Sequence, residues 1–177
     1  MRKKTKDIYA ESLLQLIEKS SYDVVTISEI CDNTPLTRRT FYNNFKSKDE
    51  VVVYICDNLM HEYIIRIHKE KAYTLAEIST TFCKFVALKK DIFMTLINNN
   101  IYHIFGNTAI RNFSYIISLV PNNVLEEANE THRNYSFLFH TAGVLKITEQ
   151  WLISGMKESA EELSSIYMSI IRDVQNL

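Results

Sequence analysis

The sequence predicts an all-α chain, with three helices in an N-terminal head and a C-terminal bundle of about six more. Three observations carry this. Only 3 Gly and 2 Pro occur in 177 residues, which leaves few places for the tight turns that sheets require. Apolar residues recur at helical spacing along the chain, and no convincing strand or internal repeat interrupts them. Four Ser or Thr residues stand three positions ahead of a glutamate: Thr26 with Glu29, Ser47 with Glu50, Thr74 with Glu77 and Ser159 with Glu162. That is the capping box, which satisfies the free N–H groups at a helix start.

The first helix is expected over residues 6–20, with Ile8, Leu13, Leu16 and Ile17 facing its neighbours. The second, over 26–33, carries Ile27 and Ile30 on one face with Cys31 beside them. Asn33, Thr34 and Pro35 end it, because proline biases the preceding residue away from helical geometry. Thr37 is a good N-cap for a short helix over 38–45. A long fourth helix, 48–69, shows the stripe Val51, Val52, Ile55, Leu59, Tyr63 and Ile67.

The fifth helix runs from Thr74 to Leu88, and the sixth begins at Asp91 and stops at Asn98-Asn99-Asn100, a poor helix interior. A seventh carries Ile101 to Leu119 up to Pro121, with Gly106 as a point where it can kink. Residues 122–129 are polar and read as a loop. The eighth helix, 130–154, is closed by Gly155, the residue a helix C-terminus favours. The ninth opens at Ser159 and runs through Leu163, Ile166, Tyr167, Ile170, Ile171 and Val174.

Two short helices joined by a tight turn, the second beginning Arg38-Arg39, have the layout of a helix-turn-helix. The residues Tyr22, Thr26, Ile27, Ile30, Leu36, Thr37, Thr40, Phe41, Tyr42, Phe45, Ser47 and Lys48 fall in one gapless register. On them, residues 21–48 resemble the DNA-binding domain of the TetR/AcrR (tetracycline-repressor) family of transcription regulators. Ser21, Thr34 and Pro35 depart from that pattern, which has glycine before the Tyr22 position, a small residue at 34 and glycine in the turn. A turn that usually exploits glycine's freedom must here be made with proline. Residues 139–163, with Gly143, Trp151, Gly155-Met156-Lys157 and Ser159 to Glu162, resemble the last two helices of some C-terminal domains in the same family.

The resemblance implies a DNA-binding domain at 1–48 and an effector-binding and dimerisation domain at 49–177. A helix in the major groove reads base edges from near its N-terminus, and Thr37, Arg38, Arg39 and Asn43 are placed for that. Adjacent arginines point about 100° apart on a helix, so one is expected to read a base and the other to hold phosphate; the sequence leaves open which. Thr26, Thr40, Tyr42 and Lys48 are expected at phosphates, whereas Phe41 and Phe45 read as core. The basic arm of Lys3, Lys4 and Lys6 is either a solvated end or, as in the family, a DNA contact.

In the family a small-molecule pocket lies among helices four to eight. Phe82, Phe85, Tyr102, His103, Phe105, Phe137 and His140 are the candidate ligand contacts, with the two histidines as polar contributors. The last two helices pair with their copies in a family homodimer, which nominates Leu145, Trp151, Leu152, Ile166, Tyr167 and Ile170; an internal core is the other reading of this stripe.

Overall charge is −1, yet residues 1–48 hold nine Lys and Arg against six Asp and Glu, while the remainder holds eleven against fifteen. The basic excess sits where phosphate contacts need it. Cys31, Cys56 and Cys83 have no metal-site spacing and suit a reducing compartment. No apolar run approaches the roughly 20 residues of a membrane helix, and Asp7 and Glu11 interrupt a signal-peptide pattern, so a cytoplasmic location is expected. His61 and His68 share a helix face without a third ligand, and no catalytic motif is present; neither enzyme activity nor a cofactor is expected. The combined expectation is a homodimeric regulator that binds double-stranded DNA, a repressor released from a palindromic operator by a small-molecule effector. The alternative is a co-regulator of the same shape that acts through protein contacts without its own operator.

Overall fold

A computed structural model describes residues 4–120 and 130–175, with the side chains at 130, 132–134, 137 and 173–175 outside that description. Among the described residues the chain is all helical: α1 Thr5–Ile17, α2 Ile27–Asp32, α3 Arg38–Tyr42, α4 Lys48–Glu70 and α5 Leu75–Leu88 are followed by α6 Lys90–Asn98, α7 Tyr102–Ser118, α8 Glu130–Ile153 and α9 Ala160–Gln175. The caps explain the starts. Thr26 and Thr74 each accept a bond from the backbone of the glutamate three residues on, whose carboxylate returns to the cap. Ser159 and Glu162 do the same, at 3.1 and 2.7 Å. At α4 the Ser47 hydroxyl accepts from Glu50 N–H, but the Glu50 carboxylate reaches one residue further back, to Lys46 N–H at 2.7 Å.

Helix ends follow a second rule. Lys71, Asn100 and Gly155 have φ of 53°, 58° and 89°, and each is followed by an N–H that bonds five residues back: Ala72 to Ile67, Ile101 to Leu96 and Met156 to Trp151. This left-handed closure absorbs the orphan carbonyls of the last turn. It is cheapest for glycine and tolerable for asparagine. Helix α7 runs through Gly106 without a break.

The chain divides into two compact units, Met1–Leu59 with Asp91–Thr108, and Met60–Lys90 with Ala109–Leu177. In the first, α2 packs on α1 and on α3 over a core containing Tyr9, Leu13, Ile30, Phe41, Val51 and Val52, all fully buried. Phe93 meets Phe105 edge-on at 4.9 Å, and Tyr102 stacks on Phe105 at 6.0 Å. One side chain ties the later segment of this unit to the earlier one. The Asn99 carbonyl oxygen accepts Tyr22 N–H at 2.7 Å, while its amide donates to Ile17 C=O at 3.1 Å and Thr95 C=O at 2.9 Å.

In the second unit α5 packs along α9. Tyr63 is buried against Phe82 and Phe85, at 5.2 and 5.8 Å between ring centres, and donates its hydroxyl to Ile78 C=O at 3.0 Å. Thr80 Oγ1 donates to Ser164 Oγ at 2.9 Å, and Lys84 pairs with Glu161 at 2.8 Å across the same helix pair.

Asn99→Leu keeps the volume but leaves the Tyr22 N–H and Ile17 C=O without their partner. A urea titration is expected to show a loss of about 1–3 kcal/mol; an unchanged midpoint would mean that water replaces the clamp at no cost.

Candidate nucleic-acid interface and cavity

Helix α3 has only five residues, too few to hold itself, so its position comes from packing. Phe41 is fully buried, with the Tyr9 ring edge-on at 5.2 Å and Phe45 at 5.7 Å. The Tyr9 hydroxyl donates to Thr37 C=O at 2.9 Å, which fixes the residue that caps α3. Thr37 Oγ1 accepts Thr40 N–H at 3.2 Å and meets Thr40 Oγ1 at 3.0 Å. Lys6 lies over the Phe45 and Tyr54 rings, and the Tyr54 hydroxyl donates to Asp7 at 2.6 Å.

With Phe41 inward, the helical turn decides where the others point. At about 100° per residue, Arg38 stands roughly 60° from Phe41, while Arg39 and Asn43 stand roughly 160° from it on either side. Accordingly Arg38 donates to Ser28 Oγ on α2. The Arg39 guanidinium is exposed and has no side-chain partner among the described residues. Asn43 is exposed and Tyr42 is 58% exposed. Of the two adjacent arginines, Arg38 is thus held by α2, and Arg39 has no side-chain partner among the described residues.

Two of the other expected phosphate contacts are engaged inside the protein. Thr26 exchanges bonds with Glu29, and those from Thr26 N–H and Oγ1 hold the Glu29 carboxylate below its usual range. Lys48 has more internal partners still. Its ammonium donates to Tyr22, Asp23 and Val25 carbonyls at 2.6, 3.2 and 3.0 Å, and it sits 4.4 Å over the Tyr22 ring. The reason is that the 22–25 turn leaves three carbonyls converging on one point, which a single cation satisfies. Tyr22 in turn donates its hydroxyl to Asp49; burial, then that bond, pushes its phenol well above the usual range.

The turn lacking glycine needs none. No residue from 33 to 36 has a positive φ. Thr34 Oγ1 donates to Cys31 C=O at 2.9 Å and accepts Leu36 N–H at 3.2 Å, so a side chain closes what backbone freedom closes elsewhere.

The second unit holds a partly open cavity of about 670 Å³. Phe82 and His140 line it. Phe85 is buried on the Tyr63 ring without lining it, and Tyr102 and Phe105 belong to the first unit. His103 is exposed in the first turn of α7, its Nδ1 3.1 Å from Asn100 C=O. The Phe137 side chain lies outside the described residues. The periodicity that nominated Tyr102, His103 and Phe105 fits either unit, and only the tertiary packing separates them.

Of the residues nominated for pairing, Trp151 and Leu152 are buried in their own unit, with Trp151 Nε1 donating to Glu158 C=O at 2.9 Å. Leu145 and Tyr167 line the cavity. Ile166 and Ile170 on α9 are 46% and 45% exposed. Ile153 at the end of α8, which the sequence reading passed over, is exposed as well. Among the described residues no three His, Cys, Asp or Glu side chains group as metal ligands, and no helix is long and apolar enough to cross a membrane.

Residues 11–55 match the family profile of bacterial regulatory proteins of the tetR family, and residues 73–173 match a transcriptional regulator C-terminal region. The chain is 30% identical over 60 residues to the HTH-type dhaKLM operon transcriptional activator DhaS of Lactococcus lactis subsp. lactis (strain IL1403), a stretch covering 34% of this chain and 32% of that relative. The match therefore spans about a third of that relative's length. A TetR transcriptional regulator from Streptococcus agalactiae 2603V has a similar fold, with a TM-score of 0.67 at 18% identity over 94% of this chain and 93% of the other. A dihydroxyacetone kinase operon activator DhaS aligns with a TM-score of 0.61 at 17% identity over 96% and 94%.

Lys48→Met is expected to lower stability by about 1–3 kcal/mol in urea, since three carbonyls lose their donor. Arg39→Ala is expected to stay within about 0.5 kcal/mol of the parent. Coincident melting curves for the two variants would mean that Lys48 does not hold the 22–25 turn.

Proposed function

The chain belongs to the TetR family of bacterial transcriptional regulators, and on that footing we propose that it is a homodimer that binds a palindromic operator and leaves it when a small molecule fills the cavity. The observation that carries this reading is the outward face of α3. Phe41 faces inward, so Arg39, Tyr42 and Asn43 form an exposed polar edge of the kind that enters a major groove. In this reading residues 1–48 contact DNA, with Arg39 and Asn43 at base edges and Thr37, Thr40 and Tyr42 at phosphates. Arg38 reaches DNA by exchanging Ser28 for a phosphate or base, and Thr26 contributes through the α2 start. Lys48 acts indirectly, by holding the 22–25 turn.

Residues 49–177 hold the effector and pair two copies. Ile153, Ile166 and Ile170 supply exposed apolar surface on α8 and α9, as an isologous contact requires. Two heads about 34–36 Å apart would meet successive grooves. The effector acts only through its different affinity for the two head spacings. The protein works in the cytoplasm and carries out no reaction of its own.

Repression is the direction we assign. A second reading is favoured by the named relatives: both DhaS proteins are operon activators, and this chain would then raise transcription from an occupied operator. A promoter-reporter fusion with and without the gene separates the two directions.

Fluorescence anisotropy with duplexes from the region flanking the gene tests the DNA-binding core of the proposal. Binding is expected to weaken steeply between 50 and 200 mM salt, and Arg39→Ala is expected to cost about 1–3 kcal/mol of operator affinity. Absent or salt-independent binding would instead support the co-regulator.

A further inference from the structure

Three segments of the first unit meet at one side chain. Asn99, the residue after α6, accepts Tyr22 N–H on its carbonyl oxygen at 2.7 Å. Its amide donates to Ile17 C=O at 3.1 Å and to Thr95 C=O at 2.9 Å. An amide side chain offers one oxygen and two N–H donors, and here all of them are engaged. Turning the group over would set donor against donor at Tyr22 and oxygen against oxygen at the other two.

The two distant partners stand at the roots of the proposed DNA face. Ile17 ends α1, so its carbonyl is among the last four that a helix leaves free. The same helix carries Tyr9, which packs on Phe41 of α3 and donates to Thr37 C=O. Tyr22 starts the 22–25 turn, which leads directly into Thr26, the N-cap of α2. Lys48 holds that turn through its carbonyls, whereas Asn99 holds it through an N–H. One route therefore runs from Asn99 along α1 to α3, and the other through the turn to α2.

We propose that Asn99 is a positioning residue for DNA binding: it fixes the end of α1 against the 22–25 turn and so sets α2 and α3 for the operator. This rests on the reading of α3 as the base-reading helix. It extends the DNA-binding machinery beyond residue 48, in keeping with the place of residues 91–108 in the first unit. A phosphate contact from a long, flexible side chain survives a small displacement. A base-edge contact requires placement within about 0.5 Å. Loss of Asn99 therefore falls on specific binding and spares non-specific binding.

The test uses the full-length protein, well below its melting temperature, in fluorescence anisotropy titrations. The two probes are the flanking duplex that the wild type binds most tightly and a scrambled duplex of equal length. Asn99→Leu removes all three bonds at similar volume. Asn99→Ala is milder, since water can satisfy the same groups without tying them together, and circular dichroism checks that each variant is folded. Each is expected to weaken operator binding at least about tenfold. Affinity for the scrambled duplex is expected to stay within about twofold of wild type, with the same salt dependence, because no charge is lost. Unchanged operator affinity in either folded variant would overturn the proposal. So would an equal loss on both duplexes, which marks a general loss of folded protein. A wild type that does not prefer the operator to the scrambled duplex would remove the DNA-binding reading itself, and the positioning role with it.

Discussion

Burial of the Phe41 ring is the constraint on which the DNA-facing surface depends. A five-residue helix has almost no stability of its own, so α3 exists because Phe41 and Phe45 pack on Tyr9. Once that ring is inside, the rotation of the helix is no longer free. The turn angle then places Arg39 and Asn43 outward and Arg38 beside α2, where Ser28 receives it. One packing choice therefore decides which of two adjacent, chemically identical side chains is available. Tyr9 adds a second restraint through Thr37 C=O, fixing where the helix begins as well as which way it faces.

Around this helix, side chains do work that backbone freedom does in more glycine-rich sequences. Thr34 closes the turn between α2 and α3, and Lys48 gathers the carbonyls of the 22–25 turn. Asn99 reaches the start of that same turn and the end of α1. These bonds are directional, so they restrict the turns more narrowly than apolar contact would. Each also leaves an unsatisfied backbone group if its side chain is lost, which costs more than the bond itself contributes.

What could be read from the sequence is what is local. Capping boxes and helical periodicity involve residues three or four apart, so the helix starts at Thr26, Thr74 and Ser159 follow from adjacent letters. The Lys71 closure carries no such letter, because lysine takes the left-handed conformation only where tertiary packing compels it. Asn99 reads as a helix breaker, since its partners lie 77 and 82 residues away. The aromatic stripe divides for a similar reason. Phe82 and Tyr102 look alike in sequence, yet one lines the cavity and the other packs in the first unit. Trp151 reads either as a pairing contact or as internal core, because α8 is apolar on more than one side; in the structure it is buried and donates to Glu158 C=O.

Helix α4 runs through both compact units. Met60 and Tyr63 line the cavity, while Val51, Val52 and Ile55 on the same helix are buried in the first unit. The same helix therefore supplies residues to both units. Helix α7 has the same property, with Ala109, Phe113 and Ile116 at the cavity and Phe105 in the Phe93 cluster. Linkage requires the reverse effect: if a ligand disfavours the DNA-bound arrangement, bound operator must weaken that ligand by the same factor.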